Sequence, residues 1–143
     1  MDCIFCEIAS KYSEAEIVFE NDKFIAFLDI NPVNYGHTLV VPKKHFDNFL
    51  TIPANELEEM TKLTQYLSGA IKRALKADGF NVISNNGTTA GQSVFHFHYH
   101  IIPRFENDFH IKPRTIEYKH AEIEVYAEKI KEVVSKYEGL LNG

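Results

Sequence analysis

Three histidines alternate with two aromatics in His96-Phe97-His98-Tyr99-His100, and the β-branched pair Ile101-Ile102 follows. A neutral imidazole, with an ordinary pKa of ~6.5, is largely unprotonated at pH 7 and can act as a nucleophile. Directed at phosphorus, it forms a covalent phospho-imidazole intermediate. Strict alternation is the signal of a strand, in which residues two apart share a face at a spacing of about 7 Å. His98 then stands between two possible partners on its own face, while Phe97, Tyr99 and Ile101 point into a core. Its second ring nitrogen needs a hydrogen bond, such as one to a main-chain carbonyl, to fix the tautomer. A flanking histidine can hold phosphate oxygens or pass a proton to the leaving group. Two other chemistries compete. His96 and His98 could be ligands of a metalloenzyme, or the face could simply be solvated.

The residues before the triad favour an anionic ligand. Asn85-Asn86-Gly87-Thr88-Thr89-Ala90-Gly91-Gln92-Ser93 combines amides, hydroxyls and two glycines. Glycines let backbone N–H groups approach a ligand closely, and Asn, Gln and Ser add neutral donors. From Gly79 through Phe105 there is no Asp or Glu, where 20 acidic residues in 143 predict about four. An acid-free, donor-rich loop beside three imidazoles suits a phosphate.

Other features narrow the class. The net charge of −5 argues against broad electrostatic binding to nucleic acid. No apolar run reaches the length of a membrane span, and the first residues lack the pattern of a signal peptide. A cytoplasmic protein is expected. Cys3 and Cys6 are the only cysteines, and their spacing in such a protein suggests a metal or redox role.

The elements that must position these groups follow from periodicity. Ile17-Val18-Phe19 and Phe24 to Leu28 read as a hairpin turning at 20–23, and Thr38 to Val41 reads as a third strand ended by Pro42. Thr51 to Ala77 is the longest helical signal, with apolar residues from Leu57 to Ala74 at steps of three or four. Thr51 or Asn55 could cap its start, and Asp78-Gly79 could end it. Phe80 to Ile83 is a fourth strand, Val94 to Ile102 a fifth, and 121–137 a second helix. Strands clustered around one long helix, without β-α-β alternation, indicate an α+β fold with an antiparallel sheet. We expect a meander of about five strands, one long helix and a C-terminal helix. The whole of 1–143 is taken as one domain, with a helical extension from about 115. Lys43-Lys44 reads as solvated, Arg104 as able to reach a distal phosphate, and His110 and His120 as surface residues.

The triad His96 to Ile102 resembles the signature of the histidine-triad family, in which histidines alternate with apolar residues. The resemblance continues through Asn85 and Gly91-Gln92-Ser93, through Gly36 to His45 and through Phe27 to Ile30. It implies a nucleotide hydrolase or transferase that forms a nucleotidyl-histidine, and a homodimer sharing an extended sheet. Carried over by position, His98 would be the nucleophile, His100 would contact the α-phosphate and His37 would support the cluster. Asn85, Gly91, Gln92 and Ser93 would bind phosphate or steer the leaving group. Asp29 would accept the ribose hydroxyls, and Phe5, Ile8, Phe27 and Ile30 would wall a purine. Core packing for those four, and turn capping for Asp29, are the plainer alternatives. Some branches also carry Cys-x-x-Cys with two histidines. Here Cys3, Cys6, His45 and His96 would then hold a structural Zn²⁺. The implied reaction is cleavage of purine nucleoside 5′-phosphoramidates at the α-phosphorus, as in the Hint-like branch. Alternatives are a dinucleoside polyphosphate hydrolase of the fragile-histidine type, or a nucleotide sensor with little turnover.

Overall fold

The computed structural model describes residues 2–108 and 113–141, except the side chains of 138, 140 and 141. Helix α1 is Ile4–Ala9. Strands β1 (Ile17–Glu20), β2 (Phe24–Leu28) and β3 (Thr38–Pro42) follow, then helix α2 (Ala54–Leu75), β4 (Gly79–Ile83), β5 (Tyr99–Arg104) and helix α3 (Glu122–Leu141). The chain divides into two compact units, Met1–Asp108 and Phe109–Gly143. That boundary lies before the expected start of the extension near 115. Unit two contains α3, which covers the helix expected at 121–137. His110 lies outside the described residues, and His120 is exposed.

The five strands form one antiparallel sheet in the order β1-β2-β3-β5-β4. The first three meander as expected. Asn21 makes the first turn, its side-chain oxygen accepting the N–H groups of Lys23 and Phe24 at 2.9 and 2.8 Å. After β3, α2 carries the chain one place past the sheet edge, and β5 returns to fill the gap. β5 therefore pairs with β3 on one side and β4 on the other.

Both faces of the central strands are covered. On one face α2 lays Met60 and Leu67 against Phe24, Ala26, Val40, Phe97 and Ile101. On the other, α1 lays Phe5 and Ile8 against Ile25, Phe27, Leu39 and Val41. Burial on both faces is why β2 and β3 read as continuous apolar runs. Short α1 was not expected, since six residues are too few to show helical periodicity.

Three boundaries differ from expectation. α2 starts at Ala54 after Pro53, and neither Thr51 nor Asn55 caps it. Thr51 instead exchanges hydrogen bonds with Asn48 in the preceding turn. At its other end Lys76, at φ 54°, makes the left-handed turn, so Gly79 is free to open β4. The fifth strand begins at Tyr99 rather than Val94. Continuing the β3–β5 register would set Phe97 opposite Pro42, which has no N–H to offer. The Phe97 N–H donates to the Phe46 carbonyl instead, at 2.6 Å.

The connection before β3 needs a left-handed residue. Gly36 sits at φ +88°, and a Cβ there would collide with the Leu75 side chain. Its neighbour is His37.

Met60 is fully buried on the α2 face, opposite the histidines. Met60→Ala should destabilise the protein by about 2–5 kcal/mol in urea unfolding. Ligand affinity at the histidine face should be unchanged, by calorimetry.

Candidate functional site

β3 and β5 bring the reactive groups together. Leu39 pairs with His100 across the ladder, and His37 stands just before β3. His37 Nε2 and His100 Nδ1 are consequently 2.9 Å apart. His98 lies two residues before His100 with its ring centroid 4.8 Å from that of His100. Phe97, Tyr99 and Ile101 face the α2 side, so the expected alternation holds, although only His100 of the triad lies within the strand itself.

Main-chain partners fix the tautomers, because a carbonyl only accepts and an amide N–H only donates. His98 Nδ1–H donates to the His96 carbonyl at 2.7 Å. In a neutral ring this leaves His98 Nε2 with a bare lone pair. The Val33 N–H donates to His37 Nδ1 at 3.1 Å, so His37 Nε2 carries the hydrogen. That hydrogen is donated to His100 Nδ1, and His100 retains Nε2–H as its own donor. Asp29 Oδ2 lies 3.6 Å from His37 Nε2. Burial is the largest influence on all these rings. It lowers the pKa of His98 and His37, and with neighbours His98 and His37 brings His100 to about 4. Each of these shifts favours the neutral ring at pH 7.

A cleft of about 320 Å³ opens on this face. Phe5, Ile8, Phe27, Ile30, Leu39 and Val94 make its apolar wall, while Asp29, Ser93, His98 and His100 make its polar end. The volume suits a small organic ligand. Phe5 stands edge-on to both Phe27 and His98, with centroids 5.5 and 5.0 Å away. Phe5, Ile8 and Phe27 are thus core residues and cleft residues at once, whereas Ile30 is 91% exposed at the rim. Asp29 has two parts. Its Oδ1 accepts the Asn31 N–H at 2.8 Å, the expected turn cap, and the carboxylate still borders the cleft.

The preceding loop is built differently from expectation. Gln92 is buried and does not line the cleft. It accepts the Gly87 N–H at 2.9 Å and donates to the carbonyls of Asp47 and Val94 at 2.7 and 3.1 Å. Gln92 therefore braces the loop that presents Ser93. Gly91, at φ +95°, closes the turn, and a Cβ there would touch the Asn85 amide at 3.8 Å. Asn85 and Gly91 lie outside the cleft lining. Arg104 is bound to Asp108 at 2.8 and 3.0 Å and to Asn81 at 3.1 Å, in place of the expected reach toward a distal phosphate. Lys43 and Lys44 pair with Glu20 and Glu56, at 2.9 and 3.6 Å.

A second cluster lies behind the segment that carries His98. Cys3, Cys6, His45 and His96 offer four ligand atoms within 4.8 Å of one another. His96 Nδ1 is 3.4 Å from both Cys3 Sγ and Cys6 Sγ, and His45 Nδ1 is 3.4 Å from Cys6 Sγ. The outer nitrogens are held by Pro42 O at 2.7 Å and Asp47 Oδ1 at 3.0 Å. Both Nδ1 lone pairs therefore face the sulfurs, the outer-shell arrangement typical of metal-bound imidazole. Ideal tetrahedral Zn–S and Zn–N bonds put S and N about 3.5 Å apart. The donor set and its spacing fit zinc. Asp29, His37 and His100 also have ligand atoms within 4.8 Å, but the His37–His100 hydrogen bond already uses that space.

Sequence reading missed Glu14, Leu39 and Val94 in the cleft and the carbonyls of Pro42 and Phe46, while the main-chain acceptor expected for His98 is the His96 carbonyl. The His45-x-Asp47 spacing was a usable clue to an outer-shell carboxylate. Carbonyl roles leave no trace in residue type.

The HIT domain family model matches residues 10–107, nearly all of unit one beyond α1. An uncharacterized HIT-like protein of Methanocaldococcus jannaschii is 49% identical over 106 residues, 74% of this chain and 81% of that protein. The adenylylsulfatase HINT3 of Arabidopsis thaliana is 40% identical over 107 residues, 75% of this chain and 54% of that one. Among solved structures, SMU.412c of Streptococcus mutans superimposes with a TM-score of 0.86 at 38% identity, covering 93% of this chain and 85% of that one. A Zn-bound histidine triad family protein of Mycobacterium smegmatis gives a TM-score of 0.75 at 36% identity, covering 82% and 85%. Family model, sequence identity and superposition agree, and the chain belongs to the HIT domain family.

Proposed function

We propose that the chain is a nucleotide hydrolase that cleaves purine nucleoside 5′-phosphoramidates and related adenylated compounds at the α-phosphorus. The observation that carries this is the bare Nε2 of His98, set at the polar end of an apolar cleft by the hydrogen bond to the His96 carbonyl. The adenylylsulfatase relative supports it, since its named activity also concerns an adenylyl group.

In this reading His98 Nε2 attacks the α-phosphorus as the bond to the leaving amine breaks. The amine leaves with a proton drawn from solvent, which the attacking water of the second step gives back, and the nucleotide is held meanwhile as a nucleotidyl-histidine. Water then attacks the same phosphorus, releasing AMP and the neutral ring. His100 Nε2–H donates to a phosphate oxygen, with its tautomer held by His37. Ser93 steers the leaving group, and Asn85, Gly91 and Gln92 shape the loop that carries it. Asp29 accepts the ribose hydroxyls, having lone pairs left beyond its turn cap. Phe5, Ile8, Phe27 and Ile30 wall the base. No carboxylate from 79–105 faces the incoming phosphate, and neutral imidazoles let the nucleophile attack without first losing a proton.

Cys3, Cys6, His45 and His96 hold a structural Zn²⁺ in this reading. The four protein ligands close the site, so zinc supplies a cross-link rather than a reactive water. Burial and Cys3 push the Cys6 thiol up to about 11 in the metal-free chain, so metal binding releases protons. A homodimer is part of the proposal. Edge strand β4 exposes Phe80, Val82 and Ile83, and a second copy could extend the sheet there. Among the described residues no helix is long and apolar enough to cross a membrane, consistent with a cytoplasmic setting.

His98→Ala should lower turnover of adenosine phosphoramidate more than about a thousandfold while AMP still binds. Wild-type protein quenched during turnover should carry a mass increment of one AMP, and the variant none. Turnover retained in the variant would rule out covalent catalysis by His98.

Metal analysis should find one zinc per chain. Cys3→Ser combined with Cys6→Ser should abolish it and lower Tm by several degrees.

His100 is held at about 4 in the fold, against ~6.5 in the unfolded chain. Between these values the unfolded chain binds a proton that the folded one does not. Its contribution is therefore complete above pH 6.5 and lost as pH falls toward 4. Tm should fall by roughly 5 °C between pH 7 and 5 through this residue, and His100→Gln should remove that part of the slope. Equal slopes in the two proteins would overturn the assignment.

A further inference from the structure

We propose that the Cys3/Cys6/His45/His96 centre positions the nucleophile. Through His96 and the peptide group joining it to Phe97, the centre fixes which nitrogen of His98 carries hydrogen. The inference rests on reading His98 as the nucleophile and these four side chains as metal ligands.

The path is short and each contact is directional. The His96 side chain is fully buried, with Nδ1 toward both sulfurs and Nε2–H on the Pro42 carbonyl. The next peptide group is gripped at both ends. Its C=O, from His96, accepts His98 Nδ1–H at 2.7 Å, and its N–H, from Phe97, donates to Phe46 O at 2.6 Å. Phe46 directly follows His45. Two ligands from distant parts of the chain therefore flank the pair of peptide groups that orients the His96 carbonyl. The cysteine segment adds a third contact. Phe5, between Cys3 and Cys6, stands edge-on to both His96 and His98, with centroids 5.9 and 5.0 Å away.

Without a metal cross-link, the half-exposed His45 meets Cys6 Sγ at 3.4 Å and the His96 ring only edge-on, so segment 45–46 is held by the Phe97 N–H and by the Gln92 amide on the Asp47 carbonyl. When that segment shifts, the Phe97 N–H loses its acceptor and the peptide plane can turn. The His96 carbonyl then leaves His98 Nδ1. A neutral ring released in this way populates the Nε2–H tautomer, which has no lone pair at the attacking position. The chemical step slows, while the cleft walls that bind the nucleotide persist. A metal acting only on stability would lower Tm and leave the His98 tautomer untouched.

The test uses full-length protein labelled with ¹⁵N-histidine, zinc-loaded or chelator-treated, at pH 8. Long-range ¹H–¹⁵N spectra identify the protonated nitrogen of His98, assigned by the signals missing in His98→Ala. Loaded protein should show Nδ1–H alone. Stripped protein should show Nε2–H as well, with kcat for adenosine phosphoramidate about tenfold lower and KM within about twofold. Adding Zn²⁺ should restore both. His45→Ala removes the exposed ligand without opening the core, and in metal-depleted form it should give the stripped pattern. Should chelation unfold the wild type, this variant's spectrum decides. An unchanged Nδ1–H signal in folded, metal-free protein overturns the proposal. Turnover retained by His98→Ala would instead remove the covalent mechanism, and zinc absent from the purified protein would remove the centre, each distinguishable from the spectrum.

Discussion

One hydrogen bond, from His98 Nδ1 to the His96 carbonyl, determines what the cleft can do. An imidazole has one lone pair when neutral, and its location decides whether the ring attacks or donates. Giving Nδ1 a main-chain acceptor leaves the lone pair on Nε2. His100 is arranged with the opposite sense, through a chain that starts at the Val33 N–H and passes through His37. Two rings of the same residue type, with centroids 4.8 Å apart, thus offer a bare lone pair and a donor respectively. The difference lies entirely in what their second nitrogens touch.

Keeping both rings neutral requires burial, and burial explains much of the remaining design. Desolvation disfavours imidazolium, and neighbouring histidines add to the effect at His100. Phe5, Ile8 and Phe27 provide that dry environment while walling the cleft. Helix α1 supplies the first two and also carries Cys6, with Cys3 at its N-cap. Six residues therefore join the ligand-binding wall to the sulfur cluster. The Pro42 carbonyl serves His96 because β3 stops there, and the absence of an N–H at Pro42 is what releases residues 94–98 from the ladder.

Much of this was legible in the sequence, for reasons that differ by element. Period-two alternation at 96–102 placed Phe97 and Ile101 in the core correctly, since face alternation survives even where the ladder does not. β2 and β3 were readable as apolar runs, and α2 through its long 3.6-residue periodicity. Gln92 was legible as an amide in the donor-rich loop before the triad, but residue type does not say whether an amide faces a ligand or its own loop. Arg104 likewise was visible as a cation, and its capture by Asp108 depends on a turn after β5. Helix α1 was too short for periodicity to register. For the tautomer network the need of His98 for a main-chain acceptor was legible, but the particular carbonyl and the Val33 N–H were not, since nearly every residue possesses both groups.

The place of β5 within the sheet also governs when the histidine cluster can first exist. It inserts between β3 and β4, and its pairing of Ile101 with Thr38 spans most of unit one. Such distant closure is slow compared with local turns and hairpins, and during synthesis it must await the emergence of the last strand. Strands β1 to β3 and helix α2 can form earlier, but none of them contains a triad histidine. A partly made chain thus has no triad imidazole seated in the cleft, and the set of His37, His98 and His100 arises only with the complete sheet.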